Sequence, residues 1–348
     1  IAQRAAERRQ KQAEALVDFM LGDLNDKLAE VSRLDILEAV DDKAMEYFQS
    51  LPVTDVTDQT LEQRAKALEK IGSVRFEQGH LAKAMQSYKA SAGISGPLAK
   101  NAPGDVERQL VHANTLAFIG KIHWYQGELE LAQEALDTSE AILLRAKEQT
   151  PANTQLLLQL TMINNNNGHI LEGRGELEGA TTQYQRMLEA SKKVVAIDAG
   201  NSIWQTQLGL AHNNLAKMAL LHGDLPGAIA GYRADAEIAT NLAKEDPKDN
   251  AQAEKVVLAK GALGRTMALA GDIDRGIDFL GEALAGANRL REIDPDSSSY
   301  QEDVALYSYQ LARLRRLHGD RSGAEALVER AITELLAMTR QDPGNVSW

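Results

Sequence analysis

The chain has 348 residues, 44% of them apolar and 5% aromatic, with no cysteine and a formal net charge of −12. The missing cysteine excludes disulfides and thiolate metal sites, and the acidic balance argues against a general binder of nucleic acid or anionic membranes. There is no apolar run of the roughly 18 residues that a bilayer-spanning helix requires, and no signal-peptide pattern.

In chain order, residues 1–11 read as a solvated lead-in helix, with Arg4, Arg8 and Arg9 and little apolar face. A linker to a preceding membrane span or effector domain is the alternative, and Ile1 in place of an initiator methionine reads as a cut or processed end. Residues 12–56 read as a divergent capping helix pair. Leu16, Phe19, Met20 and Leu24 form one stripe, Leu37, Val40, Met45 and Phe48 a looser second, and Pro52 closes it.

From 57 to 344 a single period takes over. Gly79, Gly127, Gly175, Gly223, Gly271 and Gly319 are spaced by 48 residues each time. A fixed internal period sets the architecture before any local motif does, so six repeats are expected. In the repeat at 201–248, Asn201 fits a helix N-cap. Trp204, Leu208, Ala211, Leu215 and Met218 then recur at three- and four-residue steps, the stripe of an amphipathic helix. Gly223 fits the left-handed helix stop, Asp224 caps a second helix, and Asp246 with Pro247 ends it. The first-helix caps form a column: Thr57, Asp105, Asn153, Asn201, Asp249, Ser297 and Asn345. Gly93, Gly96 and Pro97 are expected to interrupt and kink the second helix of the first repeat. Residues 345–348 read as the start of a further, truncated helix, because Asn345 stands at the next cap position and Trp348 in the register of Trp204.

The small residue, glycine, alanine, aromatic and late proline appear as Gly72, Gly79, Ala84, Tyr88 and Pro103, and again as Ala216, Gly223, Ala228, Tyr232 and Pro247. This pattern resembles the tetratricopeptide repeat (TPR) family over residues 57–348, with a unit of 48 residues where about 34 is usual. The resemblance implies an all-α fold, a right-handed α-solenoid of antiparallel helix pairs, with the first helix of each pair lining a concave groove.

Mapped onto that groove, the column six residues before each turn glycine reads Ser73, Lys121, His169, Lys217, Arg265 and Arg313. The column four residues earlier includes Asn165, Asn213 and Tyr309, followed by Asn166 and Asn214. Asparagine offers a donor and an acceptor to a peptide backbone, and the cations suit carboxylates or phosphates. Asparagine beside lysine looks like the carboxylate clamps of some TPR proteins, in a different residue order. Trp124, near Phe76 and Phe118, is a candidate anchor pocket. Bland alternatives stand beside each: cations paired with acids on adjacent repeats, Asn164–Asn167 as a buried polar ladder, and Trp124 as core. His222 and His318, just before the turn glycine, read as helix-end residues. No nucleophile–base–oxyanion constellation, phosphate loop or metal motif occurs.

The expectation is a non-enzymatic interaction scaffold or sensor module of a larger signalling protein, bacterial by family impression, without cofactor or metal. It would bind a protein or peptide with acidic groups through Lys121, Trp124, Asn165, Asn166, His169, Asn213, Asn214, Lys217, Arg265, Tyr309 and Arg313. Self-association into a homo-oligomer is the alternative. Cytoplasm is the default compartment, with an upstream membrane anchor or a periplasmic location open.

Overall fold

A computed structural model describes residues 57–341 except 78 and 296. The lead-in and capping segments and the truncated start at 345 lie outside the described residues. The twelve helices among them are α1 (Asp58–Glu77), α2 (Leu81–Asn101), α3 (Val106–Tyr125), α4 (Leu129–Gln149), α5 (Thr154–Gly173), α6 (Leu177–Ile197), α7 (Ser202–Leu221), α8 (Leu225–Glu245), α9 (Asn250–Leu269), α10 (Ile273–Ile293), α11 (Ser298–Leu317) and α12 (Arg321–Gln341). First helices begin every 48 residues from Asp58, and second helices every 48 from Leu81.

Local chemistry explains these boundaries. Asp105, Asn153 and Asn201 each accept a backbone N–H three residues on, at 3.0–3.2 Å. Asp249 accepts two, from Ala251 and Gln252. Such a cap satisfies donors that the helix itself leaves orphaned. At the inter-helix turn the backbone of Gly223 has φ 79°, a region that costs other residues strain. Asp224 N–H then reaches back to the Ala219 carbonyl at 2.8 Å, satisfying an orphan acceptor. The same bond recurs at His80, Glu128, Asp272 and Asp320.

The chain divides into two compact units, Ile1–Gly175 and Glu176–Trp348, a division that falls between the two helices of the third repeat. In the first unit, consecutive helices from α1 to α5 pack on one another, and first helices also touch: α1 with α3, and α3 with α5. In the second, α6 to α12 pack consecutively and α9 touches α11. The cores follow from the columns. Leu136 and Leu143 anchor one cluster with Leu156, Ile163 and Ile170; Leu280, Leu284, Val304 and Leu311 anchor another. Close approach is built in: a Cβ on Gly120 would lie 2.9 Å from Leu136 Cγ, and one on Gly72 would lie 2.8 Å from the Tyr88 ring.

The expected interruption of α2 does not occur. α2 runs without interruption from Leu81 to Asn101 with Pro97 inside it. Gly93, whose carbonyl would have accepted the N–H that proline lacks, is exposed and has no heavy atom near its missing side chain, so water can serve that carbonyl. The loss is therefore confined to one backbone hydrogen bond.

Candidate functional site: a face built from the first helices

Residues spaced by three, seven and eleven positions return to one face of a helix that turns about 100° per residue. In the second unit this selects Leu210, Asn213, Lys217 and Leu221 on α7, and Leu258, Gly261, Arg265 and Leu269 on α9. On α11 it selects Leu306, Tyr309, Arg313 and Leu317. All six leucines are exposed, from 36% for Leu210 to 72% for Leu317. Each cation stands between two exposed leucines of its own helix. Gly261 is buried, because any side chain there would overlap the Tyr307 ring.

The two arginines of this face are held by neutral groups. Arg265 donates to the Gln310 side-chain oxygen at 3.5 Å, and Arg313 lies 5.9 Å from the Tyr309 ring centroid. Neither forms an ion pair among the described residues. Ion pairs between successive repeats do occur, in other columns: Lys66 with Glu107 at 2.8 Å, Arg108 with Glu62 at 2.7 Å, and Arg291 with Glu334 at 2.6 Å.

In the first unit the sequence-selected residues engage one another. Lys121 Nζ sits 4.7 Å from the Phe76 ring centroid. Phe76 meets Tyr125 edge-on at 5.3 Å, and Tyr125 meets Trp124 at 5.5 Å. Trp124 stacks on His169 at 6.1 Å, with planes 5° apart. Trp124 is half-buried and packs against the core cluster of that unit. Phe118 belongs inside, stacked on Tyr88 at 4.9 Å.

The asparagine run divides by face. Asn165 and Asn166 are half-buried, and the Asn165 amide reaches the Asn166 oxygen at 3.5 Å. Asn164 and Asn167 are buried, and Asn167 donates to Glu140 and accepts from Gln133. Asn214 is a correction. It is buried and directs its amide at the Met187 sulfur, 4.0 Å away. One residue further along a helix is a rotation of about 100°, which turns Asn214 into the core while Asn213 stays at the surface.

Asn213 belongs to the most distinctive feature of the face, a cavity of about 310 Å³ between α7 and α9 with α8 beneath. Gly209, Leu210, Asn213, Asp235, Ile238 and Leu258 line it, with Lys255. Asn213 donates to Asp235 Oδ2 at 2.8 Å. Burial pushes the Asp235 carboxyl up to about 6, against the opposing effect of that hydrogen bond. His212, next to Asn213, is held below the usual histidine range by burial and by Lys192, so it adds no charge at neutral pH.

Sequence reasoning missed Asp235 and the leucine rows. The leucines carry a signal on the 48-residue ruler, 13 and two positions before the turn glycine. Apolar periodicity alone assigns such residues to the core. Of the histidines before the turn glycines, His222 serves its helix end, its Nδ1 2.7 Å from the Met218 carbonyl, whereas His318 lies 3.1 Å from Asp274 of α10.

No protein-family model and no curated protein sequence matches the chain. Solved structures do. The apo form of RapI matches with TM-score 0.59 at 13% identity, covering 94% of this chain and 99% of that one. BtubC (BKLC) from P. vanneervenii matches with TM-score 0.56 at 20% identity, covering 74% and 92%. A Signal Transduction ATPase with Numerous Domains (STAND) protein with a tetratricopeptide repeat sensor, from Pyrococcus horikoshii, matches with TM-score 0.54 at 10% identity, covering 95% of this chain and 48% of that one. The fold is thus the all-α, TPR-like repeat of helix pairs. At these identities the likeness concerns the fold.

Proposed function

We propose that this chain is a non-enzymatic protein-interaction scaffold whose first-helix face in the second unit binds an extended segment of a protein partner. The observation that carries the reading is the row of Lys217, Arg265 and Arg313 between two rows of exposed leucines. Apolar side chains left exposed at one repeated register differ from the scattered exposure of ordinary surfaces. Arg265 and Arg313, which form no ion pair among the described residues, suit acidic groups on the segment. The STAND protein carries its repeats as a sensor, and a sensing role within a larger signalling protein fits this chain in the same way.

The test is selection of a displayed random peptide library on the whole chain, followed by binding of the selected peptides to Lys217→Glu/Arg265→Glu. The reading expects binding to be lost while the melting temperature holds. Peptides that bind the variant equally well contradict it, and a large loss of stability would show that the cations serve the fold.

A further inference from the structure

We infer that the cavity between α7 and α9 receives a lysine side chain of the bound partner, its stem along Leu210 and Leu258 and its ammonium on Asp235 Oδ1. The inference rests on the reading of this face as a peptide surface and names the residue it selects.

Two facing columns of the repeat carry it. The second-helix position of Asp235 is Ser91, Ser139, Met187, Ala283 and Ala331 in the other repeats. The first-helix position facing it is Ala65, Ala113, Thr161, Val257 and Ala305, and Gly209 in the fourth repeat alone. In the first two repeats this pair is closed on itself. Ser91 Oγ donates to the Ala65 carbonyl at 2.8 Å, and Ser139 Oγ to the Ala113 carbonyl at 2.6 Å. The fourth repeat places an acid in one column and removes the side chain from the other. A Cβ on Gly209 would lie 3.0 Å from Asp235 Oδ1, so glycine leaves this oxygen uncovered. Oδ2 is taken by Asn213, and Oδ1 accepts no hydrogen bond among the described residues.

Packing between the two helices does not require a carboxylate, since serine, methionine or alanine serves in the other repeats, and burying an acid costs free energy. A visiting cation would offset that cost. One free oxygen suits the compact ammonium of lysine better than the planar fork of arginine, which favours a bidentate acceptor. Leu210, Ile238 and Leu258 offer apolar walls to the methylene stem. Lys255 on α9 lines the same cavity and His212 on α7 is held below the usual histidine range by burial and by Lys192, so among the described residues lining the cavity Lys255 is the one competing cation.

The probe is N-acetyl-lysine N-methylamide, with the norleucine analogue as its uncharged counterpart and the arginine analogue as the forked one. Binding is followed by NMR through the methyl groups of Leu210, Ile238 and Leu258. The lysine probe should shift these methyls at about pH 8, with the norleucine analogue at least about tenfold weaker and the arginine analogue between them. Lysine binding should weaken as pH falls below about 6, where Asp235 takes up its proton. Asp235→Ser, which restores the residue of the first two repeats, should erase the preference for lysine without lowering the melting temperature. Lys255→Gln should tighten the lysine probe. Equal binding of lysine and norleucine, lysine binding that survives Asp235→Ser, or methyls unmoved by every probe would each overturn the inference. None of these outcomes touches the wider peptide-face reading, which is decided by peptide capture on the Lys217 and Arg265 variant.

Discussion

Asp235 shows how one residue carries two consequences. Its carboxyl is raised to about 6 by burial, so in the window between the unfolded value near 4 and about 6 the folded chain binds the extra proton. Stability then falls as pH rises through that window and the penalty is fully present above it. Asp235→Asn should therefore stabilise the protein at about pH 8 by roughly 1–3 kcal/mol, because each tenfold change in proton affinity is worth about 1.4 kcal/mol. The gain should vanish near pH 4, as denaturant melts at the two pH values would show. Glu69, raised to about 7 by burial despite hydrogen bonds from Asn114 and Thr115, has the same sign. So does Asp303, raised to about 6 by burial and by Glu254 and Glu302. Legibility at this scale depends on which helix a residue occupies. Asn213 and Arg265 stand in first-helix columns that the period aligns, and the alignment singles them out. Asp235 is on a second helix, in a column otherwise of serine, alanine and methionine, and its significance needs the facing Gly209, 26 residues away in sequence.

At the scale of the element, caps and turns are local chemistry, and the sequence displays them fully. Asp249 holds two backbone donors at the start of α9, and Asp249→Ala should cost about 0.5–2 kcal/mol in a thermal melt. Pro97 is the opposite case. It sits within α2 at an exposed position, and Pro97→Ala restores a missing N–H, so it should raise stability by about 1–3 kcal/mol, reduced by the greater freedom of the unfolded chain. What a helix faces is less legible than where it begins. Asn213 and Asn214 differ in burial although both are first-helix asparagines. The exposed leucines of α7, α9 and α11 have the same period as buried ones, and in stacked helix pairs every face carries apolar residues. Only packing separates the two sets.

For the molecule, the 48-residue period specifies the helix-pair architecture, because each turn glycine, cap and small residue repeats in register. The division between Gly175 and Glu176 falls inside one repeat and has no marker in that period. The proposed function at this scale lies in a surface of the second unit where cations lie between leucine rows in an otherwise acidic chain. Binding there should weaken with salt, since unlike charges at a surface are screened over about 10 Å at 0.1 M ionic strength, while the leucine rows keep a salt-independent share. The measurement that tests the central claim most directly is the dissociation constant of a library-selected peptide for the native chain and for Lys217→Glu/Arg265→Glu, taken with both melting temperatures. The account predicts lost binding at an unchanged melting temperature. Equal affinity for the two proteins would contradict it.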